Sequence, residues 1–382
     1  LKSHLNALAG VLELVQQGGD MYAQGAAAEL APLVRQAQVL AMQFDAVVAN
    51  PPYMGGKGMN PALKDYAKAT FPDSKSDLFA MFMERGFEWC KPSGFNSMVT
   101  MQSWMFLSSY EAMREKLLTQ RTLSCMVHMG NGVMGIAFGT AATVMLNGRV
   151  SDYAGSFSCC ENDDIGEDER PKAFPVQNER LKTAKPDDFK KIPGSPVAYW
   201  VSDTARRIFE DFPFLGQIAE TRQGLITGDN NRFIRAWYEV DFGKIGFNFN
   251  NRSTFQGALR KWAPINKGGG FRRWFGNDLD VVNWLDDGSE IRSFRAENGE
   301  KPKSRAQNMD FYFRPGVTWG KITSGSFSAR QTGSGFLFSD AGMKAFAKTD
   351  VQLSVLTGLL NSVVATLALS SLSETLNCEQ GQ

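Results

Sequence analysis

The chain has 382 residues, 43% hydrophobic and 21% charged, a balance ordinary for a globular protein and a length sufficient for two domains with sizeable cores. Formal net charge is +1, so any attraction to nucleic acid must come from a local patch. Five scattered cysteines and two histidines lack zinc-ligand spacing, no stretch of ~20 apolar residues occurs, and the expectation is a cytoplasmic protein with no metal and no membrane span.

Residues 1–43 are helical in pattern. Leu5, Leu8, Val11, Leu12 and Val15 recur at helical spacing, and Leu30, Leu33, Val34 and Ala37 repeat it after a break at Gly18-Gly19-Asp20. The next stretch, Phe44-Asp45-Ala46-Val47-Val48-Ala49-Asn50-Pro51-Pro52-Tyr53, has the length and β-branched content of a buried parallel strand. Two prolines stop it, because neither can donate to a ladder. Asn50, preceding a proline, is pushed toward an extended conformation. A stiff loop at the carboxyl end of a strand is where ligands sit in open α/β sheets.

That loop has a definite chemistry. The Asn50 side-chain oxygen and the Pro51 carbonyl are two acceptors able to take both hydrogens of an exocyclic amine. The nitrogen lone pair then faces outward for attack on an electrophile. Tyr53 offers a flat face for base stacking, worth roughly 1–3 kcal/mol per base. Together they suit alkylation of an amino nitrogen on a base taken out of the duplex. The alternative is a plain turn, for which Asn-Pro-Pro is equally good.

Met54-Gly55-Gly56-Lys57-Gly58 reads as a mobile loop that closes over substrate and brings Lys57 to a phosphate, or as an ordinary exposed loop. Residues 77–89 read as an amphipathic helix with Phe79, Phe82, Met83, Gly86 and Phe87 on one face and Ser76 as cap. A strand over 94–101 follows a turn at Lys91-Pro92-Ser93, then a helix over 109–118 with Ser108 near its N-cap, and a strand over 123–128 ending at His128. Transfer to an amine needs no histidine base, so His128 reads as structural. A glycine-rich bend over 130–139 precedes a strand over 140–146.

Residues 151–196 are acidic, then proline-rich, and mark a linker or insert between domains at 1–150 and 197–382. Beyond it, no Asp or Glu occurs from Phe247 to Asn277, whereas Arg252, Arg260, Lys261, Lys267, Arg272 and Arg273 do. Acids are absent again over 311–339, which holds Arg314, Lys321 and Arg330. Phe271, Trp274, Phe275, Trp319 and Phe327 interleave with these cations, an arrangement that suits a phosphate backbone and base faces, or else a core with solvated basic edges. Residues 224–230 read as a tight turn, Lys267-Gly268-Gly269-Gly270 as a flexible loop, and 351–372 as helical through Leu353, Leu356, Leu359, Leu360 and Val363.

Residues 44–53 resemble motif IV of S-adenosylmethionine-dependent amino-methyltransferases of the adenine-N6 branch. Asp77-Leu78-Phe79-Ala80-Met81-Phe82, Gly94-Phe95-Asn96-Ser97-Met98-Val99-Thr100, residues 102–110, Gly224-Leu225-Ile226-Thr227-Gly228-Asp229-Asn230, Lys261-Trp262-Ala263-Pro264 and Val281-Val282-Asn283-Trp284 resemble the PglX-like methyltransferases of bacteriophage-exclusion (BREX) defence. Single-chain restriction–modification enzymes share much of the pattern. The resemblance implies an α/β fold: a partial Rossmann-like S-adenosylmethionine methyltransferase sheet whose first strands are missing, then a mixed α+β target-recognition domain. It implies a fragment truncated at both ends and inactive alone, since no Gly-x-Gly turn precedes Asn50.

The implied activity is site-specific DNA adenine-N6 methylation in phage defence or restriction–modification. Its partners would be S-adenosylmethionine, double-stranded DNA with a flipped adenine, and other defence-system proteins. Asn50, Pro51, Pro52 and Tyr53 take the catalytic positions, Asp77 and Phe79 the cofactor positions, and Tyr53 and Phe138 flank the base, with Phe138 in the segment resembling motif VIII. Lys57, Arg252, Lys261, Lys267, Arg272, Arg273 and Arg330 are the expected DNA contacts. Two other readings stay open: a non-catalytic DNA-binding specificity module, and the methyltransferase part of a bifunctional restriction enzyme.

Overall fold

The computed structural model describes residues 2–18, 20–173, 176–295, 302–322 and 326–372. They form two compact units, one through Trp200 and one from Val201. The first opens with two helices, α1 (Lys2–Gln16) and α2 (Met21–Leu40), which pack on each other through Leu12, Ala27 and Val34. Asp20 caps α2 by accepting from the Tyr22 amide, so the predicted break is a helix start.

Four more helices and six strands complete this unit: β1 (Phe44–Ala49), α3 (Pro61–Thr70), α4 (Leu78–Trp89), β2 (Cys90–Met101), α5 (Glu111–Gln120), β3 (Thr122–Gly130), β4 (Thr140–Leu146), β5 (Gly155–Cys159), β6 (Lys182–Ala184) and α6 (Pro186–Lys190). The strands make one mixed sheet in the order β1-β2-β4-β3-β5-β6. β1 runs parallel to β2, β4 lies antiparallel between β2 and β3, and β5 runs parallel to β3. The expected insert at 151–196 therefore does not stand apart: β5 and β6 extend this sheet, and Phe157 and Phe189 lie in its core.

Several local expectations are corrected. β1 was expected to be buried, yet it is an edge strand paired with β2 alone among the described residues, and Val48 is 78% exposed. The turn at 91–93 is a bulge within β2, where Ser93 takes a positive φ of 63° and the register shifts between Phe44 and Ala46. Asp77, not Ser76, caps α4. Ser108 opens a short 3-10 turn, and α5 begins at Glu111. Gly86 lets α4 approach β2 closely, since a Cβ there would lie 2.7 Å from the Asn96 side chain and from the Met98 methyl.

The second unit holds α7 (Asp203–Asp211), β7 (Glu220–Arg222), α8 (Asn230–Phe233), β8 (Ile234–Ala236), α9 (Arg252–Gly257), β9 (Trp262–Asn266), β10 (Asp280–Asn283), α10 (Leu285–Arg292), β11 (Gly316–Gly320), β12 (Ala329–Thr332), β13 (Leu337–Phe338), β14 (Gly342–Phe346), α11 (Asp350–Leu360) and α12 (Val363–Leu372). They build two four-stranded sheets, β13-β9-β10-β8 and β12-β11-β14-β7. The two motif segments around Trp262 and Val281 pair directly, Val281 against Pro264 and Val282 against Ala263.

Leu353, Leu356 and Leu360 of α11 pack on the second sheet with Val317, Ala329 and Ala345. The predicted helical face breaks at Asn361-Ser362, which leaves Val363 84% exposed and Leu359 half-exposed. Trp319 and Phe327 are core residues here, not a base-facing surface. No single described helix is long and apolar enough to cross a membrane.

Residues 268–270 are not a loose loop. Gly268 and Gly269 hold φ of 92° and 105°, and the Gly268 carbonyl accepts from Arg330. The 224–230 turn is equally tight: a Cβ on Gly224 would fall 1.9 Å from the Phe338 carbonyl oxygen. Gly224→Ala is therefore expected to destabilise the chain by ~2 kcal/mol or more, read as a lowered urea midpoint. An unchanged midpoint would mean that β13 can retreat without loss.

Candidate active site

The β1–β2 ladder ends with Ala49 opposite Met98. Neither Pro51 nor Pro52 can extend it. Pro51 is buried, Asn50 is exposed, and Tyr53 is half-buried over the end of the sheet. The Tyr53 hydroxyl lies 3.0 Å from Asn50 Oδ1 and 3.3 Å from the Val99 carbonyl oxygen, donating to this acceptor pair. The corner thus points the asparagine and the tyrosine at each other. Burial raises the Tyr53 pKa, which keeps the phenol protonated as a donor.

Three rings gather here. Tyr53 meets Phe138 edge to face at 5.6 Å and 73°, and Phe79 at 6.2 Å and 77°. Phe138 is 41% exposed, so a flat ligand can reach it, whereas Phe79 is fully buried. Phe79 supports Tyr53 from beneath and in turn packs on Tyr110 at 5.7 Å.

The packing sets the surroundings of the two expected cofactor positions. The side chain of Phe79 is sealed in the core. Asp77 is nearly buried, and its Oδ1 accepts from the Met54 amide at 2.9 Å and the Phe79 amide at 3.3 Å. It ties the loop after the proline corner to the start of α4. Gly55 bridges Asp77, and the Gly56 amide donates to the Ser76 carbonyl, so the first half of the expected mobile loop is stitched down. Lys57 stands exposed just beyond.

Sequence reasoning missed the support behind Phe138. His128 is buried, with Nε2 2.5 Å from Gln102 Oε1 and Nδ1 3.4 Å from the Tyr199 hydroxyl, and its ring stacks on Trp200. The Gln102 amide donates to the Gly139 carbonyl, and a Cβ at Gly139 would collide with the Gln102 side chain. His128 is structural in a specific sense: through Gln102 it fixes the bend that carries Phe138. The one available signal was a glycine directly after an aromatic.

In the second unit the expected DNA contacts divide. Arg272 and Arg273 are exposed, as is Lys261, whose ammonium sits 5.3 Å over Trp262. Lys267 is half-buried with Asp280 at 3.9 Å. Arg252 makes a two-pronged ion pair with Asp287, at 2.9 Å and 2.5 Å, and that partner raises its pKa. Arg330 is only 1% exposed, so it cannot reach a phosphate. It lies in a buried polar cluster with Gly268, Asp278 and Lys344, where burial pushes the Lys344 amine down to about 7. Among the described residues no cluster of metal-ligating side chains occurs.

Residues 19–134 match the family model of the Eco57I restriction-modification methylase. The chain is 41% identical over 370 residues to the adenine-specific methyltransferase BrxX of Escherichia coli O9:H4 (strain HS), covering 95% of this chain and 29% of that protein. It is 37% identical over 366 residues to the adenine-specific methyltransferase PglX of Lacticaseibacillus casei (strain Zhang), covering 93% of this chain and 30% of that protein. The chain thus spans under a third of the length of these relatives, and the resemblance to PglX-like proteins holds over nearly all of it.

Among solved structures it is similar to the type IIL restriction-modification enzyme MmeI in complex with DNA, with TM-score 0.50 and 14% identity over 83% of this chain and 42% of that one. It is also similar to a nuclease-deletion mutant of the type ISP restriction-modification enzyme LlaGI in complex with a DNA substrate mimic, with TM-score 0.51 and 9% identity over 96% of this chain and 42% of that one. These likenesses bear on fold alone, and they agree with a Rossmann-like α/β sheet followed by a mixed α+β unit.

Burial pushes the His128 pKa down to about 4. An unfolded imidazole takes up its proton near 6.5, so across that window unfolding gains a proton and stability falls as pH falls. Between pH 7 and pH 4 the wild type should lose roughly 3 kcal/mol more than a His128→Gln variant, measured by urea unfolding at each pH. Parallel pH curves for the two proteins would show that His128 already carries its proton when folded.

Proposed function

We propose that this chain is the base-holding part of a DNA adenine-N6 methyltransferase of phage defence, together with most of its target-recognition domain. The observation that carries the reading is the Asn50–Tyr53 corner: a side-chain oxygen held against a half-exposed ring, with Phe138 beside them. The 41% and 37% identities to adenine-specific methyltransferases support the substrate class.

In this reading an adenine leaves the duplex and stacks on Tyr53, with Phe138 at its flank. Its amine gives one hydrogen to Asn50 Oδ1 and the other to the Pro51 carbonyl. Asn50 Oδ1 has two lone pairs, so it can accept from Tyr53 and from the amine together. As the nitrogen becomes positive, both bonds strengthen, which is stabilisation confined to the transition state. The rigid proline corner sets the amine's direction before the reaction. No enzyme-bound covalent intermediate is needed, because the amine is the nucleophile.

S-adenosylmethionine is the methyl donor that such enzymes use. Of the two positions expected to touch it, the Phe79 side chain is sealed in the core and Asp77 Oδ1 holds the Met54 and Phe79 amides. The same observation favours a second reading, a DNA-binding specificity module without catalysis. Calorimetric titration of the full-length protein with S-adenosylmethionine separates them, saturable binding supporting the enzyme and its absence the module.

Tests on full-length protein use methylation rates and sequencing of modified adenines. Asn50→Ala should lower the rate roughly 10²-fold or more. Tyr53→Phe keeps the stacking ring and loses only the hydroxyl contact, so it should stay within about tenfold of wild type. Tyr53→Ala should lose far more. Wild-type methylation by Asn50→Ala removes the proposed role.

A further inference from the structure

We propose that residues 271–275 form a fixed aromatic wedge that enters the base stack of duplex DNA, with Arg272 and Arg273 seated on the flanking phosphates. The inference rests on the DNA-binding reading above and adds a mode of contact to it.

The first observation is exposure. Phe271, Trp274 and Phe275 are 60%, 57% and 74% exposed, three large rings within five residues. Rings such as Trp319 and Phe327 belong to the core of this unit, and these three lie outside it.

The second observation is rigidity. The Trp274 amide donates to the Ala329 carbonyl, and the Gln331 amide donates to the Trp274 carbonyl, both at 3.0 Å. The loop is thereby laid against β12 as a short parallel bridge. Ser328 Oγ accepts from the Arg272 amide at 3.2 Å, and Asn277 Nδ2 donates to the Gly270 carbonyl at 2.9 Å, closing the base of the loop. A pinned backbone with projecting rings loses little freedom on binding.

The third is strain. Trp274 holds φ of 73°, a region that bulky side chains seldom occupy, and Gly276 two residues on holds 107°. Its backbone bonds to Ala329 and Gln331 hold the residue in that conformation while its ring stays 57% exposed.

The fourth is charge. No acid occurs from Phe247 to Asn277, and neither Arg272 nor Arg273 pairs with a carboxylate among the described residues. Arg273 instead stacks its guanidinium 5.4 Å over Phe271. A purely apolar partner would leave two cations without a counter-ion. A polyanion with flat hydrophobic layers satisfies both halves of the tip, and apolar side chains that part a base step are an established way of kinking a duplex.

The test uses full-length protein and a short end-labelled duplex containing the adenine site mapped by sequencing. Wild type should bind and shorten the end-to-end distance seen by energy transfer. The double variant Trp274→Ala/Phe275→Ala should bind at least ~tenfold more weakly and no longer shorten it, with the salt dependence unchanged. Trp274→Tyr/Phe275→Tyr should restore both, which a folding defect in the alanine pair would not predict. Arg272→Ala/Arg273→Ala should reduce the slope of log affinity against log salt by about 2.

Unaltered affinity and bending in the aromatic alanine pair would overturn the wedge and leave the methyltransferase reading standing. Wild-type binding without any bend would likewise overturn the wedge alone. Failure of the wild type to bind any duplex would overturn both.

Discussion

The first unit depends on where one hydrogen-bond ladder stops. β1 and β2 pair in parallel as far as Ala49 and Met98, and then two consecutive residues without an N–H end the pairing. β2 runs on past that point, so its Val99 carbonyl is left facing the corner, and the Tyr53 hydroxyl reaches it. Backbone chemistry, more than side-chain packing, opens the polar notch at the strand end. Everything around it serves to hold the ring over the notch: Phe79 from below, Phe138 at the edge, and the Asp77 carboxylate tying the following loop to α4.

Much of this was legible in the sequence because it is local. An apolar run followed by Asn-Pro-Pro-Tyr specifies a strand, a stop and a ring regardless of surroundings. The strand over 140–146 and the helix break at residues 18–20 were legible for the same reason. What could not be read is what depends on partners distant in sequence. Val47 and Val48 look like a buried strand whether or not a neighbour lies on the outer side, so composition alone could not show that β1 is an edge. Asp77, not Ser76, caps α4 by accepting from the Phe79 amide, and it also takes the Met54 amide from far back in the chain.

Counting charge along the chain misled in one instructive way. Arg330 lies in an acid-free span and looks like part of a basic face, but β12 points it inward, beside Asp278 and Lys344. Arg252 was likewise drawn to Asp287, 35 positions away. Neither pairing has any signature in a linear window. Arg272 and Arg273 stay exposed in a loop held by the Trp274 backbone bonds to β12 and by the side chains of Ser328 and Asn277.

The outer rim of β1, unpaired among the described residues, has a practical meaning. Its outward N–H and C=O groups form a half-finished ladder flanked by Val48 and Phe44, both open to solvent. Such a rim accepts a seventh strand from whatever polypeptide supplies one. In a crowded preparation of this stretch by itself, the nearest supplier is another copy, and edge-to-edge growth into precipitate becomes the competing fate. Covering that rim is therefore a condition for handling the domain in solution, quite apart from any chemistry at the strand's far end.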